Sequence, residues 1–176
     1  SFHEEYPDIS MEIFQGTYDD VVYWIKNGVV DVGFLSVSSA ADIPIEPLYK
    51  DPLLCVVQKG RRTSKEPMSI EEMKNCQFVT QRESTDADIQ NFMKENHLDV
   101  RSSYHVVDDL STVVMVANGF GICLMPEMVM KDIPYEVDCF PVKPDACRII
   151  GIAALNPDNM APAVRTFYNR VLAMYQ

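Results

Sequence analysis

The sequence predicts an α/β fold, in which strands and helices alternate along the chain. Short apolar runs typical of buried strands alternate with segments whose apolar residues recur at helical spacing. Glycines and helix-capping residues separate these segments, as expected for the turns between them. The chain has 176 residues, of which 47% are hydrophobic, so it can bury a sizeable core as one domain or as two small lobes.

The beginning of the chain predicts a strand, a helix and a second strand. Residues 9–13 alternate between apolar and polar side chains, as in a half-buried strand. Thr17 and Asp20 have the spacing of a capping box, which predicts a helix from there to Lys26. The apolar run at 29–35 predicts the next strand, and a parallel crossover of this kind is almost always right-handed.

The middle of the chain continues the alternation. Residues 53–57 are wholly apolar, which predicts a strand in the centre of a sheet. Ser69 and Glu72 form a second capping box in front of a short helix. Residues 78–80 predict a strand, and the apolar spacing over 89–93 predicts a helix after it.

The stretch from Asp108 to Pro126 combines a helix, its stop signal and a buried strand. Asp108 or Asp109 can cap the start of the helix. The apolar face of this predicted helix consists of Leu110, Val113, Val114 and Ala117. Asn118-Gly119 predicts the end of the helix, and the strand that follows ends at Pro126, which has no backbone donor.

The remaining predicted elements are strands at 104–107, 137–142 and 149–155, a short helix at 127–131 and a final helix from Ala161-Pro162. Proline is well tolerated in the first turn of such a helix. No segment repeats with a fixed period. In open α/β sheets, ligands bind at the carboxyl ends of the strands, which directs attention to the turns that follow them.

The turn that follows the predicted strand 78–80 is the richest in polar groups. Thr80, Gln81 and Ser84 offer hydroxyl and amide groups at the start of a helix, where they can bind a carboxylate or another small polar group. Capping of the helix by Ser84 explains the same pattern equally well.

Two parts of the sequence resemble a known family. The run Val116-Ala117-Asn118-Gly119-Phe120-Gly121-Ile122 through Met125-Pro126 contains a GxGIxxxP pattern that is similar to the effector-binding domain of LysR-type transcriptional regulators. The segment from Phe2 to Gly16, followed by a helix and the run Val29 to Leu35, also resembles the pattern of that family.

The resemblance implies a fold like the type 2 periplasmic-binding proteins, with two α/β lobes joined by two crossover strands. The first lobe would hold residues 1–57 and 141–176, and the second would hold 58–140. The first strand of the first lobe would precede Ser1, together with a basic winged helix-turn-helix.

In domains of this family, the turn after the 78–80 strand and the turn after GxGIxxxP face each other across the ligand cleft. The resemblance therefore implies that a small-molecule effector is bound by Ser36, Thr80, Gln81, Ser84, Met125 and Pro126. The turn departs from the commoner Gly/Ser-rich form by carrying Arg82, Glu83 and Asp86, and the carboxylate of Glu83 or Asp86 could repel an anionic effector.

The function implied is that of a cytoplasmic sensor without a cofactor, which reaches DNA only through the missing helix-turn-helix. The family also implies a homodimer, with tetramers in full-length proteins, through the helix from Thr17 to Lys26. Tyr23 and Trp24 widen the apolar surface of that helix, although a fully buried helix would explain Trp24 equally well. The alternatives are a solute-binding protein of a transporter, or an enzyme on the same two-lobe scaffold.

Composition and motifs exclude several other classes. The 26 acidic and 15 basic residues give a net charge of −11, which argues against a nucleic-acid surface on this part of the protein. No apolar run is long enough to span a membrane, and the five cysteines have the character of reduced thiols. His3, His97 and His105 lack the spacing of metal ligands, and no catalytic motif is present, so we predict no metal, no catalytic residue and no enzyme.

Overall fold

The computed structural model describes residues 2–81, 87–100, 102–106 and 108–175. The chain divides into two compact units: unit 1 is Ser1–Lys50 with Ile149–Gln176, and unit 2 is Asp51–Arg148. The predicted lobe boundaries, 57/58 and 140/141, divide the chain at other residues and stay a prediction.

The described residues form seven α-helices. Their bounds are α1 Phe2–Glu5, α2 Tyr18–Lys26, α3 Ile70–Lys74, α4 Ala87–Glu95, α5 Asp109–Ala117, α6 Glu127–Met130 and α7 Pro162–Tyr175. Among them, none combines the length and the apolar character that crossing a membrane requires.

The described residues also form eight strands. Their bounds are β1 Gly33–Ser36, β2 Ile45–Gln58, β3 Met68–Ser69, β4 Phe78–Gln81, β5 Ser102–Val106, β6 Cys123–Pro126, β7 Val137–Lys143 and β8 Cys147–Ala153. Most of the predicted strands and helices are therefore present, with ends that shift by a few residues.

In unit 1, β8 lies between β1 and β2. The pairing of β1 with β8 is antiparallel, with Leu35 opposite Gly151. Helix α2 packs on β1, because Ile25 and Leu35 belong to the same buried cluster. Helix α7 covers β8 through Tyr168 and Val171.

The predicted strand at 9–13 is wrong, because residues 9–17 form neither a helix nor a strand. Ile13 has 90% of its surface exposed. An alternating segment becomes a strand only when a neighbouring strand accepts and donates its backbone hydrogen bonds, and among the described residues this segment has no paired strand. Since that first strand is missing, the predicted parallel crossover is not formed either, and β1 pairs antiparallel instead.

Both predicted capping boxes are confirmed. The amide of Thr17 donates to Oδ2 of Asp20 at 2.9 Å, and the amide of Asp20 donates to Oγ1 of Thr17 at 3.2 Å. The hydroxyl of Thr17 also donates to Oδ2 of Asp20 at 2.8 Å. The bonds that this hydroxyl and the Thr17 amide donate to the carboxylate hold the pKa of Asp20 below its ordinary value. Ser69 and Glu72 form the same reciprocal pair at the start of α3.

Strand β2 is central in unit 2, as its apolar sequence predicts. It pairs antiparallel with β6, where Leu53 lies opposite Pro126, and with β7, where Leu54 lies opposite Pro141. Leu53, Cys55, Val56 and Val57 are buried. A strand with partners on both edges and helices over both faces needs apolar side chains in both directions.

Strands β4 and β5 are parallel, and β4 also forms a parallel bridge with Ile122, just before β6. Phe78 packs with Ile89 of α4, whereas its neighbour Val79 packs with Val113 of α5. The two helices therefore cover opposite faces of β4. Right-handed connections require this, because α4 leads away from β4 to β5 and α5 leads back past it.

The buried face of α5 differs from the predicted one. Leu110 is 47% exposed, and the buried residues are Thr112, Val113 and Val116. The pattern missed Thr112 because threonine counts as polar. Its hydroxyl donates to the carbonyl of Asp108 at 2.8 Å, so the side chain is buried without an unsatisfied donor.

Arg62 organises the loop after β2. Its guanidinium donates to the carbonyl oxygens of Ser64 and Glu66 and to the carboxylate of Glu72. It also lies 4.6 Å from the centre of the Phe140 ring. This basic residue is thus engaged within unit 2, and it fixes the path of the loop.

Gly121 allows the backbones of β4 and the β6 segment to approach. Its φ is +156°, and a Cβ atom at this position would lie 2.4 Å from the carbonyl oxygen of Gln77. The amide of Ile122 donates to that same oxygen at 2.9 Å. A side chain here would have to push the two segments apart at the point where they are joined.

We therefore expect the Gly121→Ala substitution to lower the free energy of unfolding by about 3 kcal/mol, from backbone strain and a steric overlap. Gly60→Ala is the matched control: its φ is +73°, but nothing lies within 4 Å of the added atom. The control should cost only about 1 kcal/mol, from backbone strain alone. Urea unfolding of both variants measures the difference, and equal losses would contradict the steric explanation.

Candidate functional site

The candidate site is the edge of unit 2 at which three parallel segments end. In the β4–β5 pair, Gln81 lies opposite Val106. The β4–β6 pair is joined by two hydrogen bonds of 2.9 Å, from the amide of Val79 to the carbonyl of Ile122 and from the amide of Ile122 to Gln77. Because all three segments run in the same direction, their carboxyl ends lie at one edge.

A helix follows each of these three strands along the chain. Helix α4 begins at Ala87, α5 at Asp109 and α6 at Glu127. The first amides of a helix have no partner within the helix, so this edge collects backbone donors. The α5 amides are partly used, since Asp108 accepts the amide of Ser111 at 2.8 Å, and this bond holds the pKa of Asp108 below its ordinary value.

Thr80 links β4 to β5 near this edge. Its hydroxyl lies 3.2 Å from the carbonyl oxygen of Tyr104 and 3.1 Å from Nδ1 of His105. A hydroxyl has one proton, so when Thr80 donates to Tyr104 it accepts from His105, whose proton is then on Nδ1. Thr80 is half-buried and His105 is exposed.

His105 was missed as a site residue by the sequence analysis, which tested histidines only for metal spacing. The register that places it opposite Thr80 depends on two strands that are separated by 25 positions in the sequence. A pattern within one strand does not contain that information.

Met125 and Pro126 end β6 and are both buried. The side chain of Met125 packs in a cluster with Val56, Val79 and Val116. Its side chain therefore belongs to the core, whereas Met128, further along the turn, is 39% exposed.

The other predicted site residues differ in what the structure describes. Gln81 is the last residue of β4, where its backbone pairs with β5. Ser84 lies outside the described residues. Ser36 is in unit 1, at the end of β1, where it is fully buried and its Oγ lies 3.0 Å from Oγ of Ser38.

A small cavity lies within unit 2, behind the edge. Its walls are formed by Phe78, Val79, Thr80, Ile89, Gln90, Met93, Thr112 and Leu124, and the space that a water centre can occupy is about 20 Å³. A cavity of this size holds about one water molecule. It is too small for a metabolite, so the edge itself is the better candidate.

The described groups of the edge are mainly hydrogen-bond donors and acceptors. Among the described residues, no group of three or more His, Cys, Asp or Glu side chains could hold a metal ion. Burial raises the pKa of the Cys123 thiol in β6 well above its ordinary value, so this thiol is a poor nucleophile. What the edge offers is backbone amides, the Thr80 hydroxyl and the His105 imidazole.

Comparison with known proteins identifies the family. The chain matches the family described as the LysR substrate binding domain over residues 1–176. The chain belongs to this family. The family resemblance stated from the sequence is therefore confirmed.

The relatives and solved structures agree with this. The chain is 22% identical over 174 residues to the uncharacterized HTH-type transcriptional regulator YoaU of Bacillus subtilis. The alignment covers 95% of this chain and 58% of YoaU. The regulatory domain of CcmR from Synechocystis, in complex with 2-PG, has a TM-score of 0.89 at 16% identity, covering 99% of this chain and 88% of that one. The effector-binding domain of QuiR, in complex with shikimate, has a TM-score of 0.83 at 23% identity, covering 98% and 84%.

These structural similarities show the fold and confirm the predicted class, that of the type 2 periplasmic-binding-protein-like effector domains. The chain spans 58% of the length of YoaU. The site residues predicted from the sequence stay a prediction, because no ligand contact of this chain is observed.

Thr80→Val tests the link between β4 and β5. The substitution keeps the shape of the side chain but removes the hydroxyl, so we expect a loss of about 1 kcal/mol in the free energy of unfolding. Thr63→Val, at an exposed loop position, is the control and should be nearly neutral. Urea unfolding measures both, and a neutral Thr80→Val would show that the hydroxyl contributes nothing to the pairing.

Proposed function

We propose that this chain is the ligand-sensing domain of a transcriptional regulator. A small metabolite binds at the carboxyl edge of unit 2, and the bound state controls a DNA-binding segment elsewhere in the protein. The observation that carries the proposal is the arrangement of that edge, where β4, β5 and β6 end on the same side. In α/β sheets, this is the place at which ligands bind.

The relatives support the regulatory part of the proposal. YoaU is named as an HTH-type transcriptional regulator, and the chain matches 58% of it, which leaves the rest of YoaU to hold the helix-turn-helix of its name. The chain itself has a net charge of −11. Such a charge is unsuited to a DNA-binding surface, so the contact with DNA falls to a different segment.

The solved structures support the sensing part. CcmR and QuiR were each determined with a small molecule, 2-PG in the first and shikimate in the second. A ligand can regulate only if it binds two arrangements of the protein with different affinities. We therefore assign the edge a binding role and no reaction, and a compound bound there should be recovered unchanged.

We also propose that the protein acts in the cytoplasm. In bacteria such as Bacillus subtilis, the organism of YoaU, a transcriptional regulator meets its DNA there. The thiols agree with this compartment, because Cys55, Cys76, Cys123, Cys139 and Cys147 are all free. A reducing cytoplasm keeps cysteines in that form.

We also propose that two copies pair through the surface of unit 1 around α2. Tyr23 on that helix is 62% exposed, and Ile13 and Phe14 in the preceding segment are exposed as well. Trp24 is half-buried against Phe14, with ring centres 5.7 Å apart. Together they form an apolar surface of the kind that is often covered by a partner.

A thermal-shift screen of metabolites, including 2-PG and shikimate, tests the sensing proposal. A compound that binds the folded chain raises its midpoint, by an amount that grows with concentration. For a compound found in this way, Thr80→Ala with Ser84→Ala should weaken the affinity by about tenfold, equivalent to roughly one lost polar contact.

The control for this variant is Thr63→Ala with Ser10→Ala, at two exposed positions, which should bind as the wild type does. Calorimetry well below the unfolding midpoint measures both affinities. Unaltered binding by the Thr80/Ser84 variant would remove the site assignment, and conversion of the compound to a product would contradict the sensor.

Tyr23→Glu tests the pairing surface. A charge in the centre of an apolar contact should shift the chain from dimer to monomer, because the carboxylate would have to be buried without a partner. Tyr175→Glu is the control, since Tyr175 is also exposed but lies at the end of α7. Sedimentation velocity gives the oligomeric state, and a Tyr23→Glu variant that remains dimeric would contradict this surface.

A further inference from the structure

Helix α6 differs from α2, α3 and α5 in having no cap of its own. Those three helices are capped by Thr17, Ser69 and Asp108, and in each case the side chain accepts a backbone amide of the first turn. The cap position of α6 is occupied by Pro126, which makes no side-chain hydrogen bond to the helix. Proline has no acceptor in its side chain, so an acceptor for these amides has to be water or another part of the chain.

Asp51 supplies this acceptor. Its Oδ1 accepts the amide of Met128 at 2.8 Å, although the two residues are separated by 77 positions. Asp51 is fully buried. A carboxylate at the start of a helix is favoured both by the hydrogen bond and by the helix dipole.

The second oxygen of Asp51 binds a different element. Oδ2 accepts a hydrogen bond from Nε of Arg148 at 2.9 Å, and the side chain of Arg148 is 11% exposed. A buried carboxylate is costly unless a cation and hydrogen bonds compensate it. The two oxygens thus hold two elements that are far apart in the sequence, and each contact helps to compensate the burial of the charge.

Asp51 and Arg148 lie at the two ends of the chain segment that forms unit 2. Asp51 is the first residue of unit 2 after Lys50, and Arg148 is its last residue before Ile149. Both therefore lie on the strands, β2 and β8, by which the chain enters and leaves the unit. The β6–α6 turn begins at Pro126, where β6 reaches the candidate edge. Through Asp51, this turn is bound to β2 and to Arg148 of β8, at the residues where the two strands enter and leave unit 2.

We propose that Asp51 is a positioning residue for the candidate site. It holds the β6–α6 turn in place, and through Arg148 it couples this turn to the strands that connect unit 2 with the rest of the chain. A ligand that moves the turn then acts directly on those strands. This role in sensing rests on the proposed function, whereas the coupling itself is a property of the fold and can be tested alone.

The first experiment follows two hydrogens by NMR in the 176-residue chain: the amide of Met128 and the Nε–H of Arg148. Asp51→Ala removes both acceptors, so exchange of the Met128 amide with solvent should become about tenfold faster relative to the amides of α5. Asp51→Asn keeps an Oδ1 that can accept from Met128 but presents an NH₂ group to Arg148. In this variant the Met128 amide should stay protected while Arg148 Nε–H exchanges faster.

Glu72→Gln is a matched control within the same unit. Glu72 also joins the start of a helix to an arginine, since its Oε2 accepts the amide of Ser69 at 3.0 Å and its Oε1 accepts from Arg62 at 3.0 Å. This variant should leave Met128 and Arg148 unchanged. Equal protection of Met128 in the wild type and in Asp51→Ala would overturn the proposal. If Asp51→Ala does not fold, an unchanged Arg148 Nε–H in Asp51→Asn would overturn it instead.

The second experiment tests the coupling. Pro126→Ala disturbs the turn directly, and it should shift the Nε–H resonance of Arg148 when Asp51 is present. In the Asp51→Asn background the same substitution should leave that resonance in place, and a shift that persists there would show that Asp51 is not the route. Neither experiment uses an effector, so a failure here leaves the sensing proposal standing, and a failed metabolite screen leaves this coupling standing.

Discussion

The parallel pairing of β4 with the segment that leads into β6 is the constraint on which the candidate site depends. Two hydrogen bonds of 2.9 Å join Ile122 to Gln77 and Val79. They form only because Gly121 has no Cβ, which would lie 2.4 Å from the Gln77 oxygen. Once this pairing is fixed, the direction of the two strands requires that their carboxyl ends lie at one edge.

Much of the fold could be predicted from the sequence, because many of its elements are specified locally. The capping boxes at Thr17 and Ser69 and the stop at Asn118-Gly119 use side chains within a few residues of the helix ends. The apolar run of β2 similarly carries the signature of a strand that is buried on both faces. Such signals remain valid whatever the rest of the chain does.

The predictions that were wrong depended on distant partners. Residues 9–13 have the alternation of a strand, but Ile13 is almost fully exposed because strand formation also needs a neighbour. On α5, the sequence pattern predicts that Leu110 is buried and Thr112 is not, because leucine is more hydrophobic than threonine. In the structure Thr112 is buried and Leu110 is exposed. The orientation of the helix on β4 decides which of its side chains are buried. The hydroxyl of Thr112 donates to the Asp108 carbonyl, and this bond allows the threonine to be buried.

The candidate site shows the same division. The turns at Thr80 and Pro126 could be found, because each directly follows an apolar strand. His105 and Asp51 could not, since their partners are separated from them by 25 positions in one case and by 77 and 97 in the other. An acidic residue before a proline is typical of an exposed turn, so the neighbours of Asp51 in the sequence do not indicate that it is buried.

The use of a distant cap at α6 has a physical consequence that a local cap would not have. Had Pro126 been a serine or an aspartate, its side chain could accept the Met128 amide, and the turn would be free to move with α6 alone. Because the acceptor is Asp51, moving the turn breaks a charge-assisted bond or displaces β2, and through the second oxygen it also disturbs Arg148. An apolar pair in place of Asp51 and Arg148 could pack this region as well, but it would leave the Met128 amide without its acceptor. The buried charge is therefore better explained by the connection it makes between these elements than by the stability it adds.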